Sequence, residues 1–282
     1  MGMRLGLLVG TNIAIIALFT TVASIAGVDP QGVVGLTLFS ALFGFGGAFI
    51  SLAMSKSIAK RSTGARVIET PTNETEKWLV DTVARLADDA GIGMPEVAVF
   101  EGAPNAFATG AKRNDALVAV STGLVASMDK REVEAVLAHE VAHVANGDMI
   151  TLTLIQGVVN TFVILISRVI ATIIASRVRR GGRAIYFGVV IVMQIVLGFF
   201  ATMIVMWFSR RREFRADADA GRLTSNEDMI SALDALRRDP NEAKLPDSMA
   251  ALGVRTSSSS QLRKLFSSHP PIEARIEALQ RG

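Results

Sequence analysis

His139-Glu140-Val141-Ala142-His143 is the stretch on which the reading of this chain turns. On an α-helix, side chains at i and i+4 share a face, so both imidazoles can reach one ion. Glu140 follows the first histidine and projects close enough to take a proton from a metal-bound water. The chain has three histidines, and two of them stand here. It has no cysteine. Disulfides and thiolate zinc sites are therefore excluded, and any metal must be held by histidine and carboxylate. The bland alternative is a helix that carries two unrelated histidines.

Half of the 282 residues are apolar, and the mean hydropathy is +0.40, a balance that points to membrane segments. Lys+Arg exceed Asp+Glu by only 29 to 26, so the total says less than where the charges fall. No basic patch interleaved with aromatics occurs, and nucleic acid is not an expected partner.

Leu5 to Val28 and Val33 to Met54 are each long enough to cross the hydrocarbon of a bilayer as helices. Gly27-Val28-Asp29-Pro30-Gln31-Gly32 reads as a tight turn between them. A secretory signal is the alternative for the first run, but a second apolar run follows at once and no clear cleavage site intervenes. Ile185 to Phe208 is a further span. Met149 to Ser167 is weaker, because Thr151, Thr153, Gln156, Asn160 and Thr161 interrupt it. Those groups face other helices, or the segment is a partly wetted helix on the membrane surface.

The first loop carries Asp29 and no Lys or Arg, whereas Lys56, Lys60, Arg61 and Arg66 follow the second run. Both ends of the first hairpin are therefore expected in the cytoplasm. Arg210, Arg211 and Arg212 agree with that orientation, while Arg177, Arg179, Arg180 and Arg183 oppose it. The first pair of helices usually dominates, so the expected topology keeps four spans.

Between the apolar runs the pattern is that of an ordinary globular unit. Asn73-Glu74-Thr75-Glu76 resembles a capping box ahead of a helix with Leu79, Val80, Val83, Leu86, Ala87 and Ala90 on one face. Gly91 and Gly93 stop it. Glu96 to Phe100 and Leu117 to Ser121 read as strands, with Asn105 to Gly110 as a third between them. Asp129 and Glu132 open the helix that carries the histidines. Farther on, Arg210 to Gly221, Asn226 to Arg238 and Ile272 to Leu279 read as helices. Thr256-Ser257-Ser258-Ser259-Ser260 has the composition of a surface connection.

Two histidines do not complete a catalytic zinc site, which usually has three protein ligands and an open position. The remaining candidates are His269 and the cytoplasmic carboxylates. A hairpin that leaves near residue 149 and returns near 208 brings Glu213 and Asp217 back beside the histidine helix. These two are i and i+4, so one can bind metal while the other orients a ligand histidine; alternatively both pair with the neighbouring arginines.

His139-Glu140-Val141-Ala142-His143-Val144-Ala145-Asn146-Gly147-Asp148, taken with Glu213-Phe214-Arg215-Ala216-Asp217, resembles the bacterial HtpX proteases. These are membrane gluzincins related to the CAAX prenyl proteases. The resemblance extends to Asn105-Ala106-Phe107-Ala108-Thr109-Gly110, Val118-Ala119-Val120-Ser121-Thr122-Gly123, Leu245-Pro246-Asp247-Ser248-Met249-Ala250 and His269-Pro270-Pro271, and so covers nearly the whole chain.

The resemblance implies one Zn2+ per chain held by His139, His143 and Glu213, with Glu140 as catalytic base and Asp217 behind a ligand histidine. It places His269 and Arg275 beside the zinc as candidate oxyanion donors. Alternatively His269 covers the metal at rest and Arg275 is a helix-surface cation. Asn105, Ala106, Phe107 and Ala108 would form an edge strand that pairs with an extended substrate; the plain alternative is a structural strand.

The expected fold is a predominantly α membrane protein, with four transmembrane helices and a cytoplasmic α+β zincin-type catalytic domain formed by two segments. Residues 1–54 form the N-terminal hairpin, 55–148 the first catalytic part, 149–208 the second hairpin and 209–282 the second catalytic part. The expected activity is zinc endopeptidase cleavage of unfolded or misfolded membrane proteins at the cytoplasmic face of the bacterial inner membrane, in stress-related quality control. Processing of one dedicated substrate and a non-enzymatic membrane scaffold are the competing readings. The scaffold reading leaves Glu140 unexplained, since metal binding alone does not need that carboxylate.

Overall fold

Residues 30–178, 181–238 and 269–282 are described by the computed structural model. They divide into two compact units. The first comprises the chain up to Ser51 together with Thr151–Val205, and the second comprises Leu52–Ile150 and Met206–Gly282.

The second unit is built around a small sheet. Its strands are β1 (Arg66–Val67), β2 (Glu96–Phe100), β3 (Ala106–Lys112) and β4 (Asp115–Ser121). Among the described residues the order is β1-β2-β4-β3, with β2 parallel to β4 and the other pairs antiparallel. The sequence reading omits β1, whose two residues are too few to show a period. It also ends the third strand at Gly110, whereas β3 continues to Lys112 through an irregular register with β4. Gly110 permits that hairpin: its φ is 143°, and a Cβ there would lie 2.6 Å from the Asp115 carbonyl oxygen.

The pleat sends alternate residues to opposite faces. Val118, Val120, Ala106 and Ala108 join a core with helix α2 (Glu74–Asp89), while Leu117, Ala119 and Phe107 meet Ala98, Phe100 and Ala59 on the other side. Asn73 caps α2 by accepting the Glu76 amide. The reciprocal half of the expected capping box is replaced, because the Glu76 carboxylate accepts instead from the Thr72 amide and hydroxyl and from Arg66.

A short helix α3 (Thr122–Ser127) leads into α4 (Lys130–Asn146), the helix of the two histidines. Asp129 and Glu132 form a complete capping box at its start. Val133, Val136, Leu137, Val141 and Val144 bury it in the same core, against Met229, Leu233 and Leu236 of α7 (Asn226–Arg238). At the far end Gly147 takes the left-handed conformation (φ 64°, ψ 38°), and its N–H caps the His143 and Val144 carbonyls. A last helix, α8 (Ile272–Arg281), adds Leu279 to this core.

Three helices among the described residues are long and apolar enough to cross a membrane. These are α1 (Pro30–Thr63), α5 (Asp148–Ser176) and α6 (Gly182–Leu223). The first apolar run, Leu5 to Val28, lies outside the described residues, as do the Leu245 to Ala250 motif and the Thr256 to Ser260 connection. In the first unit, α1 and α5 approach closely. A Cβ on Gly44 would lie 2.6 Å from Thr161 Oγ1, and one on Gly157 would lie 2.2 Å from the Phe45 ring. The polar Thr161 is buried there and donates to the Gly157 carbonyl at 2.7 Å. The sequence reading separates a span ending at Phe208 from a helix beginning at Arg210. In the structure α6 runs through that boundary without a break, since no Gly or Pro stands between Gly198 and Gly221.

Candidate metal centre

Residues of three helices and one preceding turn converge in the second unit. α4 presents His139 and His143 from successive turns of one face, with their Nε2 atoms 3.1 Å apart. α6 presents Glu213 and, one turn later, Asp217. Glu213 Oε2 lies 3.4 Å from His139 Nε2, and Oε1 lies 3.3 Å from His143 Nε2. His139, His143 and Glu213 are all buried, and one ligand atom from each falls within 4.8 Å of the others.

The other imidazole nitrogens are engaged from behind. His139 Nδ1 lies 2.9 Å from Asp217 Oδ1, and His143 Nδ1 lies 2.7 Å from Asp148 Oδ2. Each of these nitrogens stands within hydrogen-bond distance of its carboxylate, and both Nε2 atoms face each other and Glu213. Two imidazole nitrogens and a carboxylate facing one another in a buried space suit a cation. Zinc with ligands at 2.0–2.1 Å in tetrahedral array would separate them by about 3.3 Å. The separations of the two Nε2 atoms from each other and from one carboxylate oxygen each, 3.1, 3.4 and 3.3 Å, lie within a few tenths of an ångström of that value. Glu213 Oε1, buried and accepting no hydrogen bond among the described residues, points the same way. The donor set therefore fits zinc.

Burial pushes the His139 imidazole toward its neutral form, but hydrogen bonds to Asp217 and Glu213 outweigh it and raise the pKa. Burial likewise opposes the charge on His143. The Glu213 charge and the Asp148 hydrogen bond reverse that and lift it to about 9.

Glu140 is buried on α4 next to His139, and its charge helps stabilise the Arg275 guanidinium. His269, on the turn before α8, sets Nδ1 2.5 Å from Glu213 Oε2, so an imidazole N–H meets the carboxylate that faces both histidines. Arg275 is not a helix-surface cation: it is fully buried. Its Nε and Nη2 fork onto Asp217 Oδ2 and Oδ1 at 2.7 and 2.6 Å. Two of its nitrogens are committed to Asp217, and only Nη1 is buried without an acceptor among the described residues.

Asn105 precedes β3, which contributes Ala106, Phe107 and Ala108. The strand packs on α4, and its outer edge has no strand partner among the described residues. A small cavity lies where the end of β3 meets the end of α4, lined by Thr109, Lys112, His143, Gly147 and Met149 among others. Asp148 is the residue that the sequence reading leaves unassigned. Its signal was present: an acid directly after a helix-ending glycine can fold back onto the last turn.

Residues 73–282 match the family model described as peptidase family M48. The chain belongs to peptidase family M48. It is similar to the Protease HtpX of Stenotrophomonas maltophilia (strain R551-3), with 55% identity over 283 residues, 98% of this chain and 97% of that protein. It is also similar to the Protease HtpX of Xanthomonas euvesicatoria pv. vesicatoria (strain 85-10), with 54% identity over 282 residues and the same coverage. Among solved structures, the crystal structure of S. mikatae Ste24p shares the fold at a TM-score of 0.61 and 19% identity, over 98% of this chain and 64% of that one. Family membership makes the chain a metalloprotease, a hydrolase of peptide bonds. With three helices apolar enough to span a bilayer, it is a membrane metalloprotease.

Proposed function

We propose that this family M48 member is a zinc-dependent endopeptidase that hydrolyses unfolded or misfolded membrane proteins at the cytoplasmic face of the bacterial inner membrane, in stress-related quality control. Four spans, one zinc per chain and a catalytic domain formed by two segments belong to the same reading. The observation that carries it is the convergence of His139 Nε2, His143 Nε2 and the Glu213 carboxylate, each imidazole tied from behind by its own carboxylate.

His139, His143 and Glu213 would hold the metal. Zinc, when bound, supplies a Lewis acid that polarises a peptide carbonyl and acidifies water. Glu140 accepts a proton from the attacking water and returns it to the leaving nitrogen as the C–N bond breaks. Asp217, clamped by Arg275, holds the His139 ring; His269 orients Glu213 or, through its other nitrogen, donates to the developing oxyanion, with Arg275 Nη1 as a second donor. The outer edge of β3 pairs with the main chain of an extended substrate. Such pairing recognises backbone and leaves sequence preference loose, as disposal of misfolded proteins requires. The lysines and arginines after Met54 and Trp207 support a site on the cytoplasmic side.

Replacing Glu140 by Gln tests the reading. The variant should retain zinc and lose cleavage of an unfolded membrane protein by a factor of about 10² or more. Persistent cleavage by zinc-loaded E140Q protein would overturn the mechanism and leave the scaffold or a different base.

A further inference from the structure

The carboxylate of Asp148 takes no part in the chemistry above, yet it is buried and held at the rim of the metal centre. The chain delivers it there by a specific turn. α4 closes at Asn146, and Gly147 reverses the backbone in the left-handed region while its N–H returns to the His143 and Val144 carbonyls. The next residue therefore lies alongside the last helical turn instead of beyond it. Asp148 Oδ2 ends 2.7 Å from His143 Nδ1.

We infer that Asp148 is the positioning residue of His143: it accepts the Nδ1–H, fixes that ring nitrogen as the protonated one, and turns the Nε2 lone pair toward His139 and Glu213. The two ligand histidines are then held by two carboxylates of different character. Asp217 shares its charge with Arg275, whereas no cation pairs with Asp148 among the described residues apart from His143 itself. Asp148 also opens α5, where an acid in the first turn favours the helix. That role is satisfied by the backbone alone and does not require contact with an imidazole.

This inference rests on the proposed zinc site, and the test separates the two. The full-length protein, in detergent micelles and labelled with 15N only at histidine, gives six ring nitrogens from three residues. Zinc affinity is measured by chelator competition, and the ring nitrogens are followed with and without zinc. In the parent, zinc should move the His143 Nε2 signal and leave a strongly hydrogen-bonded Nδ1–H. Asp148→Ala should lower zinc affinity about 10–100-fold, with the His143 Nδ1–H signal displaced and that of His139 kept. Asp148→Asn keeps an acceptor without the charge. It should lose affinity by less, several-fold, with Nδ1 still protonated, and it carries the test if the alanine variant does not fold.

Affinity within about twofold of the parent in the variant that folds overturns the inference. So does lost affinity with unmoved His143 signals, which marks a helix-start role. A parent whose His143 nitrogens ignore zinc overturns the zinc site itself, and this inference with it.

Discussion

Replacing Arg275 by Met is the sharpest test of how the centre is held. The guanidinium and Asp217 are both buried and joined by bonds of 2.7 and 2.6 Å. Methionine keeps much of the volume but strands the carboxylate. Breaking such a buried pair from one side costs about 3–5 kcal/mol, whereas losing an exposed helix cation costs within about 0.5 kcal/mol. Asp217 keeps the His139 Nδ1–H, which favours the lower part of that range. Replacing Asp217 by Leu in the same chain removes the stranded charge but leaves the His139 N–H without an acceptor, a cost of about 1–3 kcal/mol. The double variant should therefore be more stable than the sum of the single losses by about 1–3 kcal/mol. Denaturation of the detergent-solubilised protein, followed by fluorescence of Trp78 and Trp207, measures all four corners of the cycle. A single loss below about 1 kcal/mol, or strict additivity, would refute the buried pair as the anchor of His139.

Other expectations concern protons, metal and topology. Hydrogen bonds from the Thr72 amide, Arg66 and the Thr72 hydroxyl hold Glu76 down at about 2, against an ordinary value of 4.5. The stability it lends is thus complete above pH 4.5 and lost as pH falls toward about 2. Glu76→Gln should flatten acid unfolding of the second unit in that window, and a parent-like profile would refute it. His143, raised to about 9, carries a proton that zinc must displace at neutral pH. Zinc affinity should climb with pH up to that value, as read by chelator competition, and a flat profile would refute it. Zinc at about 100 times its Kd should stabilise the parent by about 2.7 kcal/mol and leave Glu213→Ala unaffected, measured by the same denaturation. Because the chain has no cysteine, a single Val178→Cys is a unique label. With four spans it reacts with an impermeant thiol reagent from the periplasmic side, and reaction from the cytoplasm alone would refute the second hairpin.

The i, i+4 pairs at 139/143 and 213/217 were legible because a helix converts that spacing into one face, whatever the rest of the chain does. The strands β2 and β4 were legible from short apolar runs between turn signals, but their parallel pairing was not, since pairing is decided by what packs above and below. β1 was invisible at two residues. Arg275 could not be separated from an ordinary surface arginine, because burial of a charge depends on a partner 58 positions away. Asp148 was overlooked for a related reason: the contact needs Gly147 to reverse the chain, and that shows in a backbone angle more than in spacing. The continuity of the helix past Phe208 was not legible, because hydropathy ends there while helical hydrogen bonding does not.

The unbroken course of α6 bears on how the enzyme comes into being. Translation delivers His139, Glu140 and His143 first, and Glu213 only after α5 and the apolar stretch of α6 have left the ribosome. A nascent chain therefore carries Glu140 and two imidazoles before the carboxylate that faces them. Glu213 joins the two histidines only after the apolar stretch of α6 has been made. Half-made copies would lack the carboxylate that faces the two histidines, an order of assembly written into the chain.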